Sequence, residues 1–221
     1  MNFPDGLLPI GWLWLAHGLY AVVLLAAISL APWRRLYESQ LLNVLPGICV
    51  GLLMVWALKA GVAPGLNFHL LGATLLTLMF GWQLAIVGMS ATLLGVTLNG
   101  MSGWQTFSIN ALLMGVLPVL LSQIVLVYGK RLLPRHFFVY VFVNAFFGAA
   151  LAMAATGLAS TIVLALSHAY SWDRLSTQYL PFYLLMIFPE GILTGTLIAM
   201  FVVYRPQWVG TFSDEQYLRN K

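Results

Sequence analysis

The sequence predicts an all-α integral membrane protein, a compact bundle of about seven transmembrane helices with its N-terminus outside and its C-terminus inside. Composition is the first reason. Of 221 residues, 61% are hydrophobic and 7% charged, and the mean hydropathy is +0.91; a soluble domain carries roughly 25% charged residues. So few charges cannot cover a water-facing surface. The second reason is a series of apolar runs near the about 20 residues a helix needs to cross a bilayer. The third is how the basic residues fall between those runs.

Residues 1–11 form a leader, with a turn signal at Pro4, Asp5 and Gly6 and a second proline at Pro9. It lacks the basic lead-in and the small-residue cleavage site of a secretory signal, so it is expected to be retained. Residues 12–205 read as one transmembrane domain, and 206–221 as a short cytoplasmic tail. The first span is expected from Trp12 to about Ala31, and the second from Leu41 to about Leu58. The third covers about Leu66 to Phe80 and the fourth about Trp82 to Leu98, with a tight turn near Gly81 between them. The fifth runs from about Phe107 to Tyr128, the sixth from about Phe137 to Ser167 and the seventh from about Tyr179 to Tyr204.

This order places Arg34, Arg35, Lys130, Arg131, Arg135, Arg205, Arg219 and Lys221 inside and only Lys59 and Arg174 outside, 8 of the 10 basic residues against 2. A six-span arrangement, with the third and fourth runs merged or re-entrant, sorts them less well. Gly47-x-x-x-Gly51 and Gly191-x-x-x-Gly195-x-x-x-Ala199 have the spacing that lets helix backbones approach closely. Trp12 and Trp14 read as interface anchors.

The motifs exclude several activities. No G-x-x-x-x-G-K-[ST] occurs, so the chain has no P-loop for ATP. There is no HExxH and no C-x-x-C, which leaves protease and thiol-redox readings without support, and nothing points to an enzyme. The +4 balance reports orientation rather than nucleic-acid binding. Cys49 lies in an apolar run and reads as a small buried hydrophobe.

Polar side chains inside hydrocarbon are costly and therefore mark candidate sites. His17, His69 and Asn110 all fall in the outer third of their expected spans, within reach of the leader. His17 also has a bland reading, a hydrogen bond to a neighbouring carbonyl. Glu190 lies about halfway down the seventh span and needs a partner or a proton. Its neighbours Pro189 and Gly191 suggest a local helix break whose freed backbone groups would meet it. His136 and His168 read as interfacial residues at helix ends.

Several of these stretches together resemble one family, the substrate-capture membrane component (CbiM/NikM type) of cobalt and nickel energy-coupling-factor ABC transporters. The leader MNFPDGLLP resembles that family's Met-His-Ile-Pro-Asp-Gly start. The segment Asn67-Phe68-His69-Leu70-Leu71-Gly72-Ala73 is similar to its Ser-x-His-Leu-x-Gly stretch. Gly103-Trp104-Gln105-Thr106-Phe107-Ser108-Ile109-Asn110, continuing to Met114-Gly115, resembles its Gly-Gly-x-Thr-Thr-x-Gly-Ala-Asn stretch. Pro189-Glu190-Gly191 and Tyr204-Arg205-Pro206 are similar to its closing helix and Arg-Pro stop. The matches keep the family's order over nearly the whole chain.

The resemblance implies that the leader folds back into the bundle. It also implies that the Met1 amine, groups of residue 2 and the His69 imidazole hold a cobalt- or nickel-type divalent metal; His17 is a candidate to supply a compensating nitrogen where Asn2 departs from the family. Asn110 and Glu190 are substrate-path or coupling candidates. The implied partners are ABC ATPase subunits, a transmembrane coupling subunit and a small accessory membrane protein, in a bacterial plasma membrane; no resident cofactor and no nucleic acid are implied. The sequence departs at residue 2, where the family has His and this chain has Asn2. The family's later His before the closing-helix Glu and its Gln-rich approach to the Gly-Gly loop are also missing.

Oδ1 of Asn2 closes a chelate ring of the same size as a histidine Nδ1, but offers a harder, weaker oxygen donor. An unshifted His69 implies uptake that weakens below about pH 6.5. The alternative reading is a non-transport membrane scaffold or regulatory subunit that keeps the bundle and has lost the site.

Overall fold

Proline and glycine divide the apolar chain into its elements. The structure, a computed structural model, describes residues 2–38, 41–213 and 217. Helix α1 (Ile10–Leu30) starts after Pro9 and stops at Ala31, whose extended backbone is what a following proline favours. A short α2 (Trp33–Glu38) leads to α3 (Leu41–Ala57). A two-stranded antiparallel hairpin follows, β1 (Ala60–Ala63) and β2 (Leu66–Phe68). Helix α4 (Ala73–Phe80) meets α5 (Trp82–Leu98) at Gly81. That glycine has φ +85°, open only to a residue without Cβ, and it is the tight turn expected there.

The remaining helices are longer. Helix α6 (Phe107–Ala111) continues through a π-turn at Leu112–Val116 into α7 (Leu117–Leu132). Helix α8 (Phe137–Val139) continues through a second π-turn at Tyr140–Phe147 into α9 (Gly148–Leu166). Helices α10 (Trp172–Gln178) and α11 (Leu180–Tyr204) close the bundle.

Among the described residues, four apolar helical runs are long enough to cross a membrane: Ile10–Leu30, Phe107–Leu132, Phe137–Leu166 and Trp172–Tyr204. Leu41–Ala57 and Trp82–Leu98 are shorter apolar helices of 17 residues each. The expected third span is not one helix. Its first residues are strand β2, and its helical part is only the eight residues of α4, bounded by Gly72 and Gly81, both at positive φ. Every residue of α4 is buried, so it is the centre of the bundle rather than a wall. It packs against α5 and α7, while α11 packs against α9 and the second π-turn.

Two packing expectations separate here. A Cβ on Gly191 would lie 3.1 Å from the Phe146 carbonyl and one on Gly195 3.3 Å from Phe146 Cβ, so these glycines do allow a close helix crossing. Gly47 and Gly51 face open space. Helix α3 instead meets α5 where Gly88 faces Cys49 and Leu45. Of the expected tail, Pro206–Trp208 forms a 3-10 turn, and Gly210 N donates to Met79 O at 2.8 Å, closing the C-terminal end of α4. Arg219 and Lys221, expected inside, lie outside the described residues.

Candidate metal centre

The leader is bound residue by residue to one end of the bundle. Two asparagine carboxamides each imitate a strand neighbour. Asn67 Oδ1 accepts from Asn2 N at 2.9 Å while its Nδ2 donates to Asn2 O at 3.2 Å. Asn110 Oδ1 accepts from Phe3 N at 2.9 Å while its Nδ2 donates to Phe3 O at 3.0 Å. Thr106 Oγ1 adds a bond to Phe3 O at 2.6 Å.

Asp5 then caps the start of α6. Its Oδ2 accepts from Trp104 N at 3.1 Å, and its Oδ1 from Gln105 N at 2.9 Å and Thr106 N at 3.2 Å. A carboxylate fits there because these three N–H groups lie in the turn just before α6 and have no partner in its ladder. A Cβ at Gly103 would strike Asp5, so glycine is required at that position.

This anchoring places Asn2, 2% exposed, against His69, also 2% exposed. His69 Nε2 is 3.1 Å from Asn2 Oδ1, and its Nδ1 is 3.0 Å from Leu70 O. His69 sits in residues 69–72, between β2 and α4. There burial is the main force holding its imidazole far below the ordinary value, at about 3, and the Lys59 charge acts in the same direction. The ring is therefore neutral and carries one proton. The Leu70 carbonyl can only accept, so that proton belongs on Nδ1. Nε2 then turns a lone pair toward the Asn2 carboxamide, which can share a cation with it through Oδ1 or, turned over, donate to it from Nδ2. Two donors about 2.1 Å from one ion and at right angles stand about 3 Å apart, the separation seen here. The Asn2 Nδ2, in contrast, is buried with no partner.

The segment 69–72 is held from two further sides. Trp56 stacks on His69 with centroids 4.7 Å apart and donates from Nε1 to Leu71 O at 3.2 Å. Glu190 Oε2 accepts from Leu71 N at 2.7 Å and its Oε1 from Gly72 N at 2.8 Å. The expected helix break at Pro189 does not occur, since α11 runs unbroken from Leu180 to Tyr204. The partners of Glu190 come from the turn just before α4, where the buried Leu71 and Gly72 N–H groups need an acceptor.

Of the expected site residues, the structure thus brings together Asn2 and His69. Asn110 supports the leader and Glu190 supports the His69 segment. His17 turns elsewhere, with Nδ1 2.8 Å from Ser108 Oγ. Met1 lies outside the described residues. Among the described residues no group of three or more His, Cys, Asp and Glu gathers as a metal site. Asn67, Asp5 and Thr106 were read from the sequence only as turn or motif residues, and Trp56 not at all; none was given a place at the site. Asn67 lies in β2, two residues before His69, which follows the strand, and that spacing was the available signal.

The family model described as CbiM, "Cobalt uptake substrate-specific transmembrane region", matches residues 2–208. Among solved structures, one described as a transition metal transporter superposes with a TM-score of 0.75 at 17% identity, covering 90% of this chain and 92% of that one. A truncated transition metal transporter superposes with a TM-score of 0.73 at 18% identity, covering 92% of this chain and 98% of that one. No curated protein matches.

Proposed function

The chain belongs to the CbiM family, the substrate-specific transmembrane region of cobalt uptake, and on that premise we propose that it is the membrane substrate-binding component of an energy-coupling-factor ABC-type transporter for cobalt or nickel. The family and the similar solved structures are transporters, not enzymes. The observation that carries the reading is the buried pair of Asn2 Oδ1 and His69 Nε2, 3.1 Å apart. The Met1 amine completes the donor set. With no P-loop of its own, the chain relies on ATPase subunits and a coupling subunit for energy.

The Asn2 backbone nitrogen is the fourth donor that the family resemblance implies. Here it holds its proton in the 2.9 Å bond to Asn67 Oδ1. Loading through that nitrogen requires the proton to leave and the bond to break. The side-chain oxygen needs neither, so Asn2 binds first through Oδ1. Without metal, the same carboxamide turned over presents Nδ2 to Nε2.

The test is cellular uptake of radioactive cobalt or nickel with the partner subunits present. A peptide extension before Met1 converts the amine to an amide and should abolish uptake while leaving the chain inserted. An extension after Lys221 should leave uptake intact. Normal uptake by the N-terminally extended chain would remove the amine from the site. Equal uptake without any ATPase would remove the energy-coupling assignment.

A further inference from the structure

His69 carries an aromatic neighbour on its face. Trp56, in the last turn of α3, lies with its ring centroid 4.7 Å from that of the imidazole and its plane tilted by 40°. It is 1% exposed, and its Nε1 donates to Leu71 O at 3.2 Å. Burial and that hydrogen bond fix the indole against the imidazole before any ion arrives. A side chain that only filled this space need not be aromatic. One that only held the Leu71 carbonyl need not lie on the ring of His69.

Electrostatics give the contact a use. The donors that meet an ion first, the Met1 amine, Asn2 Oδ1 and His69 Nε2, are uncharged. The two carboxylates that anchor the site are engaged with backbone, Asp5 with the N–H groups of residues 104–106 and Glu190 with those of Leu71 and Gly72. Lys59 adds a positive charge to the adjoining cavity. The face of an indole is a region of negative potential. It attracts a cation within about 6 Å of its centroid, most strongly where water is excluded. When Nε2 gives its lone pair to a divalent ion, the imidazole loses electron density and is drawn to that face in the same way.

We propose that Trp56 is a positioning residue for the metal: its indole face stabilises the His69 imidazole in the electron-poor state that metal binding creates, and so raises the affinity of the site. This deepens the metal-transporter reading and rests on it. Trp56 acts on the ion through His69.

The test grows the full chain on tryptophan carrying none, one, two or three ring fluorines. Nickel chloride is then titrated calorimetrically into each metal-stripped product. Fluorine draws charge from the π face with little change in the ring's shape and none in its N–H group, so a merely structural Trp56 gives a flat series. All eight tryptophans take the label. The same series in Trp56→Phe, which keeps an aromatic face without fluorine, isolates the ring on His69. We expect nickel affinity in the wild-type chain to fall with each fluorine, by at least about fivefold across the series, equivalent to about 1 kcal/mol. The Trp56→Phe series should be flat. A flat wild-type series overturns the proposal and leaves the metal site standing. An equal slope in Trp56→Phe also overturns it, since the effect then belongs to another tryptophan. If the unfluorinated wild-type chain binds no nickel, the proposal and the metal reading fail together. If Trp56→Phe does not fold or bind, Trp56→Tyr takes its place.

Discussion

Burial leaves His69 with one proton, and the Leu70 carbonyl decides that it sits on Nδ1. With the imidazole pushed down to about 3, acidification does not compete for Nε2 in the range where an unshifted histidine titrates, near 6.5. The expected weakening of uptake below about pH 6.5 is therefore not a property of His69 in this fold. Proton competition falls instead to the amine, whose ordinary value is about 7.7–8.0. At pH 5.5 nickel binding should release one proton, where an unshifted His69 would add most of a second; calorimetry in two buffers of different ionisation enthalpy counts them. The same shift bears on stability. The folded value lies below the unfolded one, so the folded chain binds fewer protons. The contribution of His69 is fully present above about pH 6.5 and is lost as pH falls toward 3. His69→Gln should flatten the fall in melting temperature over that window, and an equally steep fall in the variant would place the acid-sensitive group elsewhere.

At the scale of elements, the site depends on two loose ends being fixed: the leader by the start of α6, and residues 69–72 by α11. Asp5→Ala removes three bonds to backbone N–H and should cost about 1–2 kcal/mol. It should also accelerate hydrogen exchange at residues 104–106 and weaken nickel binding. Faster exchange with unchanged affinity would mean that the leader is no part of the site. Glu190→Gln turns an NH2 group toward one of two N–H donors, so it should cost about 1–3 kcal/mol and weaken binding. A variant as stable and as tight as wild type would leave Glu190 without a role at this segment. These two anchors mark the limit of what the sequence made legible. The helix ends at Leu41, Trp82, Leu98, Phe107, Phe137 and Tyr204 follow from apolar runs bounded by Pro, Gly and basic residues, and His69 and Asn2 follow from the family resemblance. The hairpin over Ala60–Phe68 was hidden because its apolar residues read as the start of a span. The partners of Glu190 were hidden because Leu71 and Gly72 contribute backbone, which no side-chain pattern reveals. The Asn67 and Asn110 clips were hidden for the same reason, since each binds the main chain of the leader.

The whole molecule is arranged around α4. The Glu190 carboxylate accepts from its N-terminal approach, and Gly210 N and Thr211 N donate to the carbonyls of Met79 and Leu78 at its far end. A buried eight-residue helix can leave its end groups unpaired only at high cost, and each end has a partner from a distant part of the chain. The glycines divide along the same logic. Gly191→Ala should lower stability by crowding Phe146, whereas Gly47→Ala, in open space, should leave stability unchanged or raise it by up to about 1 kcal/mol through helix propensity, both read by thermal melting. Equal destabilisation by both would mean that Gly47 is packed after all. The proposed orientation predicts that reporter fusions after residues 60 and 103 read outside and those after 135 and 221 inside, and an outer C-terminus would overturn it. The central claim, that Asn2 and His69 hold a divalent metal at the leader end of this bundle, is tested most directly by calorimetric titration of nickel, cobalt and zinc into the metal-stripped chain and its Asn2→Ala, Asn2→His and His69→Ala variants. The account predicts one ion per wild-type chain, binding weakened at least about tenfold by Asn2→Ala and more by His69→Ala, and nickel affinity raised at least about tenfold by Asn2→His. A wild-type chain that binds none of the three metals, or one that binds them unchanged without the His69 imidazole, would contradict it.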